Sequence, residues 1–278
     1  MARSNFRGAI TTSAGPGQVA EAGDRLAGRT ALVSGGGNGL GRAIASALSA
    51  AGVRVVIIGR TARTLDETAA LGAAAGSIMR TAVVDLADPV SVDALRDELA
   101  DESISILVNN AGVAGPVAPL IDIEPDEWDD VFAVNVRGMY LICRAFLPPM
   151  IARGSGDVIN LASVSGKRPL ARRTPYCASK MAVIGLTTAL AAEVGPLGIT
   201  VNSLSPGPVR GLRMDRNFRH EAERLGVTVE TATDTFVSRA LLGRLVEEDE
   251  VGQAVVPMLN MPGLHAADID LSAGMVAR

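Results

Sequence analysis

From residue 29 onward, short apolar runs alternate with longer stretches whose apolar residues recur at helical spacing. The runs fall at 30–33, 53–58, 78–84, 104–108, 156–161 and 199–203, with a weaker seventh at 267–271. Helical patterns near 40–51, 62–75, 89–100, 124–150, 175–194 and 247–260 separate them. Short strands joined through helices of ten or so residues make βαβ units. The near-continuous Val, Ile and Leu content is that of strands covered on both faces, as parallel strands are. Right-handed crossovers then predict an α/β fold, a Rossmann-like doubly wound parallel sheet of about seven strands in a single domain.

Two segments fall outside this rhythm. Residues 1–27 mix Gly, Ser, Thr and Ala with Pro16, and read as a flexible extension ahead of a domain spanning 28–278. Residues 206–245 open with Pro206-Gly207-Pro208, then carry a charged segment and a further helical run. An insertion after a strand's carboxyl end sits where open α/β sheets bind ligands. It is expected to form a substrate lid of two short helices.

Composition narrows the function. The chain has 278 residues, 48% apolar and only 3% aromatic, with a net charge of −4. That acidic balance argues against nucleic acid or an anionic membrane as the main partner. No apolar run is read as a membrane span, and the N-terminal stretch around Arg3 and Arg7 has no secretory apolar core. Cys143 and Cys177 read as reduced core thiols of a cytoplasmic protein. With His220 and His265 they are not read as a zinc site, and no metal is expected.

The first strand runs directly into Ser34-Gly35-Gly36-Gly37-Asn38-Gly39-Leu40-Gly41, which opens the first helix. Glycines at a helix N-terminus let backbone N–H groups approach a pyrophosphate closely. A plain tight turn is also glycine-rich, but the strand before and the amphipathic helix after supply the phosphate-loop context. The second strand ends Gly59-Arg60, with Gly59 where a dinucleotide site often has a carboxylate for the ribose 2′-hydroxyl. An arginine there suits a 2′-phosphate, which favours NADP(H) over NAD(H); the bland alternative is a solvated strand end.

The spacing of Gly35, Gly39 and Gly41 resembles the Thr/Ser-Gly-x-x-x-Gly-x-Gly element of the short-chain dehydrogenases/reductases. The resemblance covers roughly residues 28–275, and it implies site residues one by one. Ser34, Gly35, Gly37, Asn38, Gly39 and Leu40 would line the dinucleotide, with Asp85 and Leu86 at the adenine. Asp85 also reads as a start signal for the helix near Pro89. Asn109-Asn110-Ala111-Gly112 is similar to the family's Asn-Asn-Ala-Gly, placing Asn110, Ala111 and Gly112 along the cofactor. Asn135 resembles the family's helix asparagine in the proton relay. Pro206, Gly207 and Val209 are similar to its Pro-Gly element at the nicotinamide amide, while Gly211 stands where relatives often carry threonine.

Ser163, Tyr176 and Lys180 complete the resemblance. Tyr176 and Lys180 are i and i+4, so they project from one helix face. A free phenol titrates near 10, and an ammonium one turn away lowers that value towards neutral pH. Tyr176 would then act as acid or base at the substrate oxygen. Lys180 would also hold the nicotinamide ribose, and Ser163 would hydrogen-bond the substrate oxygen.

Among the remaining residues, Cys177 points off the Tyr/Lys face and reads as packing, as does Trp128, while His220 and His265 read as surface or packing residues. Lys167, Arg168, Arg172 and Arg173, with Arg210 and Arg213, make a basic cluster that is either a solvated loop or an anion-facing wall, with Arg173 and Arg210 as the residues to test. The reading is therefore an oxidoreductase moving hydride between NADP(H) and a carbonyl or secondary alcohol, the substrate a small molecule with or without an anionic group. A 3-oxoacyl-carrier-protein reductase and a non-catalytic cofactor sensor are the alternatives. The family resemblance implies a homotetramer built through the helices at 124–150 and 175–194.

Overall fold

The computed structural model describes residues 25–168 and 170–276. Seven strands form one parallel sheet in the order β3-β2-β1-β4-β5-β6-β7: β1 Thr30–Ser34, β2 Arg54–Gly59, β3 Met79–Val83, β4 Ile104–Asn109, β5 Gly156–Leu161, β6 Ile199–Pro206 and β7 Asp268–Leu271. The expected doubly wound single-domain sheet is present, including its weak seventh strand. The order reverses between β1 and β4, which opens a crevice above their carboxyl ends.

Alternation along the strands explains why the runs are apolar throughout. In β1, Leu32 faces one core while Ala31 and Val33 face the other; in β2, Val56 and Ile58 oppose Val55 and Ile57. The first face is covered by helices α3 (Pro89–Glu98), α5 (Gly138–Arg153) and α6 (Thr174–Val194), the second by α1 (Gly39–Ala50), α2 (Ala62–Ala74) and α9 (Glu248–Leu259). Buried polar groups tie the layers. Asn109 Nδ2 donates to Asn160 Oδ1 at 2.9 Å, and Asn160 Nδ2 donates to Thr187 Oγ1 at 2.9 Å, linking β4 and β5 to α6.

Several expectations change. The stretch at 124–150 is not one helix: α4 (Pro125–Phe132) passes through a π-helical turn, Ala133–Arg137, into α5. Two helical stretches, Pro125–Arg153 and Thr174–Leu197, are long and apolar enough by length and composition to cross a membrane, at mean hydropathy 1.2 and 1.3. This corrects the reading that no run comes near a span. Both pack one face on the sheet, burying Ile142 and Met150 or Val183 and Ala191, while much of the apolar surface of the second stretch is left exposed. Leu26, assigned to the extension, is buried in the core beside Val53, so the fold begins ahead of residue 28. Residues 1–24 of that extension lie outside the described residues.

The insertion holds two helices, α7 (Leu212–Leu225) and α8 (Val229–Val237), the first longer than expected. They have a small core of their own, with Met214, Phe218 and Leu245 buried together and the Phe218 and Phe236 rings edge to face at 5.6 Å.

Candidate active site

The loop after β1 is built around close backbone approach. A Cβ on Gly41 would stand 2.0 Å from the Gly35 carbonyl oxygen, and one on Gly37 would stand 2.5 Å from Thr64 Oγ1. Gly35 also has a φ of 69°, in the left-handed region. Ser34 Oγ accepts from the main-chain N–H of Asn110 at 3.0 Å and of Ala111 at 3.1 Å. In return Asn110 Nδ2 donates to the Ser34 carbonyl at 2.9 Å. These bonds clamp the two loops that flank the crevice. Asn38 takes the N-cap position of α1 without a side-chain capping bond, and no acidic residue occupies the first turn. Leu40 packs its side chain against the core beneath α1. The first-turn N–H groups of α1 are therefore left without a side-chain cap, the arrangement an anion can use.

Arg60 is exposed at the end of β2, and among the described residues it makes no ion pair or side-chain hydrogen bond. Gly59 leaves space: its Cβ would meet only Leu65 Cδ2 at 3.7 Å, so packing does not exclude a carboxylate there. Asp85 accepts from the Ala87 N–H at 2.9 Å. The start of α3 is instead capped by Asp88, which accepts from Val90 and Ser91, so Asp85 is not that helix's cap. The Leu86 side chain is buried against Gly138.

The three residues expected to do chemistry converge beyond β5 and on α6. Ser163 caps a 3₁₀ turn and accepts from the Ser165 N–H at 3.1 Å. Its own proton stays free to donate, and the Tyr176 hydroxyl lies within its reach. Tyr176 and Lys180 are both buried, with Lys180 Nζ 5.9 Å from the ring centre of Tyr176. Lys180 Nζ donates to the Leu161 carbonyl at 2.7 Å, which aims it along the crevice floor near Gly112. Burial pushes the Tyr176 phenol up, but the Arg213 and Lys180 charges and the hydrogen bonds from Ser163 and Arg213 outweigh it, leaving the phenol below its ordinary 10.0. Burial, and more weakly the Arg213 charge, lower Lys180, while Tyr176 acts to raise it.

Asn135 sits at the centre of the π turn and is fully buried. Its Oδ1 accepts from the Val113 N–H at 2.7 Å, and its Nδ2 donates to the Val113 carbonyl and to Ser179 Oγ, each at 3.0 Å. A π turn displaces the backbone ladder by one residue, a feature frequent at functional sites. Ser179 went unnoticed in the sequence, although its spacing from Tyr176 is that of one helix turn; its hydroxyl donates back to the Tyr176 carbonyl at 2.8 Å.

On the opposite wall Pro206 ends β6, the Gly207 N–H donates to Leu271, and Val209 bridges Val246. Gly211 has a φ of 146°, and its Cβ would come within 2.6 Å of Glu248 Oε1. A threonine there would be strained by the backbone, while the Glu248 carboxylate, at the end of a flexible side chain, could move aside. Glu248, from α9, had no signal in the sequence, and burial raises its carboxyl, followed by the neighbouring charge of Asp249.

The basic cluster divides. Lys167 pairs with Asp268 at 2.5 Å and with Asp270, Arg168 donates to the Met275 carbonyl, and Arg172 to that of Val117. Arg210 pairs with Glu247 at 2.9 Å and is neutralised there, which removes it from the anion-facing wall expected of it. Arg173 is buried, and Arg213 stands with its Cζ 5.8 Å from the Tyr176 ring centre. Trp128 stacks on Phe132 at 5.2 Å, and His265 bonds Val201 and Ala191, so both are packing residues. Both cysteines are free, and burial pushes the Cys143 thiol up to about 12.

Comparison with known proteins agrees with this geometry. Residues 29–223 match the family model described as short chain dehydrogenase. D-threitol dehydrogenase of Mycolicibacterium smegmatis is 40% identical over 185 residues, covering 66% of this chain and 70% of that one. A crystal structure of a variant actinorhodin polyketide ketoreductase with NADPH superposes with a TM-score of 0.85 at 29% identity, covering 90% of this chain and 98% of that one. A crystal structure of NAD+-bound xylitol dehydrogenase gives 0.84 at 26% identity, covering 90% and 99%. The chain belongs to the short-chain dehydrogenase family. It is an NAD(P)-dependent oxidoreductase acting on alcohols and their carbonyl counterparts.

Proposed function

We propose that this enzyme prefers NADP(H) and interconverts a secondary alcohol with its carbonyl through Tyr176, Lys180 and Ser163, under a lid formed by 206–245. The carrying observation is Tyr176, a buried phenol brought below its ordinary value between Lys180 and Arg213, with a free serine proton beside it. Bound cofactor supplies or accepts the hydride at its nicotinamide. The glycine cradle of Gly35, Gly37, Gly39 and Gly41 fits its pyrophosphate, because side chains there would collide with neighbouring atoms or strain the backbone.

In the oxidation direction the Tyr176 oxygen takes the proton of the alcohol hydroxyl; in reduction it returns a proton to the new alkoxide. Ser163 donates to the same substrate oxygen, and Lys180 would hold the ribose while stabilising the phenolate. Asn135 fixes the backbone at Val113 and, through Ser179, the start of α6. Asn110, Ala111, Gly112, Pro206, Gly207 and Val209 would wall the nicotinamide, and Asp85 and Leu86 would border the adenine.

Arg60 supports NADP(H), since its guanidinium is unpaired among the described residues and Gly59 offers no competing carboxylate. The apolar faces of α5 and α6, where Tyr140 and Met181 are exposed, favour a homotetramer through these helices. Free thiols at Cys143 and Cys177 suit a cytoplasmic location. The substrate is a small molecule, and the arginines near Tyr176 favour an anionic one. Steady-state oxidation of NADPH and NADH across a ketone panel tests the reading. We expect kcat/KM to be at least tenfold higher with NADPH, and a clear NADH preference overturns the cofactor choice.

A further inference from the structure

Two arginines at the catalytic tyrosine have no counter-charge. Among the described residues, Arg224 pairs with Glu221 at 2.6 Å, Arg244 with Glu250 at 2.7 Å, Arg210 with Glu247 and Lys167 with two aspartates. Arg173 and Arg213, in contrast, make no ion pair. Arg173, at the N-cap position of α6, is only 8% exposed, and its guanidinium is spent on neutral acceptors, Asn217 Oδ1 at 2.6 Å and the Ala114 carbonyl at 3.4 Å. Arg213, in the first turn of α7, lies over the Tyr176 ring, its Cζ 5.8 Å from the ring centre. With Lys180 they put three cations around one phenol. The acid–base step requires one of them. Arg173 is buried and already satisfied by those neutral acceptors, whereas Arg213 is exposed, so its guanidinium is the one open to whatever enters beside Tyr176.

We propose that Arg213 receives a substrate carboxylate, with Arg173 holding it in position, so that the enzyme acts on 2- or 3-hydroxy acids and their oxo counterparts. This rests on the dehydrogenase reading above. The distance class follows from shared reach. The reacting oxygen hydrogen-bonds the Tyr176 hydroxyl, and the Arg213 guanidinium stands over that same ring, 5.8 Å from its centre. A carboxylate on Arg213 is therefore separated from the reacting carbon by at most one or two carbons. The planar guanidinium offers two parallel N–H groups that match a carboxylate and cannot be matched by a neutral hydroxyl. Arg173 acts through its bond to Asn217, one turn along α7 from Arg213, which docks that helix against α6. Arg173 is thus a positioning residue.

The test uses matched pairs, lactate against 1,2-propanediol and 3-hydroxybutyrate against 1,3-butanediol, oxidised with NADP+ by the full chain. The readout is the ratio of kcat/KM for the acid to that for the diol. Because tuning of Tyr176 affects both members of a pair, the ratio reports carboxylate recognition alone. We expect at least one acid to exceed its diol tenfold or more. Arg213→Ala should cut that ratio at least tenfold, Arg213→Lys should retain part of it, and Asn217→Ala should lower it through a raised KM for the acid. A diol preferred over its acid in both pairs overturns the inference and leaves the dehydrogenase reading intact, as does a ratio that Arg213→Ala leaves unchanged. Turnover of none of the four compounds, with cofactor bound, overturns this inference, and turnover of another alcohol or ketone by the same preparation leaves the dehydrogenase reading intact.

Discussion

Replacing Lys180 by methionine removes the buried ammonium and keeps most of the side chain's volume. The ammonium nitrogen lies 5.9 Å from the Tyr176 ring centre. At an effective dielectric of about 20, a unit charge several ångströms from the phenolate favours it by roughly 2–3 kcal/mol, so losing it moves the phenol upward. Arg213 is present in both proteins and its effect cancels in the comparison, so the variant's Tyr176 phenol moves upward. The sign follows for each direction. Oxidation uses the deprotonated phenol, so its rate rises with pH through the Tyr176 value, and this rising limb moves to higher pH in the variant. Reduction uses the protonated phenol and falls through the same value, so its falling limb moves up as well. The assay is kcat/KM for alcohol oxidation between about pH 5 and 10, with a thermal melt to confirm folding. At neutral pH the variant should also lose about 10²- to 10⁴-fold in rate, the usual range for acid–base assistance. A rising limb at the same pH in both proteins would refute the electrostatic role of Lys180.

Arg60→Ala should lower the NADPH-over-NADH preference about tenfold by raising KM for NADPH, with NADH kinetics close to those of the parent enzyme. Steady-state kinetics with both cofactors check it. Asn135→Ala strips the Val113 N–H, the Val113 carbonyl and the Ser179 hydroxyl of a buried partner. It should cost about 2–4 kcal/mol, seen as a Tm lower by several degrees, with kcat reduced in the fraction that stays folded.

Much of this was legible in the chain because its signals are local. The Val and Ile content of β1, β2 and β4 announces strands buried on both faces, and the Tyr176–Lys180 spacing is a property of one helix. Gly41 and Gly35 likewise meet within a single turn. What stayed hidden depends on long-range juxtaposition. Arg213 reaches Tyr176 only because α7 folds back over the crevice, and Glu248 meets Gly211 from 37 residues further along the chain. Arg210, from the same sequence cluster as Arg213, turns instead to Glu247. Charge in a sequence does not show which partner a flexible side chain finds. The break at Ala133–Arg137 was also invisible, since a π turn preserves the apolar content of the helices on either side.

The central claim is that Tyr176 carries the proton while the cradle holds the cofactor independently of it. Substituting Tyr176 by phenylalanine separates the two, because only the hydroxyl is lost from a buried ring. Turnover and NADPH affinity should be measured on the same preparation, the first by steady-state kinetics and the second by fluorescence titration. The account predicts turnover reduced by at least a hundredfold with Kd for NADPH changed by less than about threefold. Retained turnover in the phenylalanine variant would contradict it.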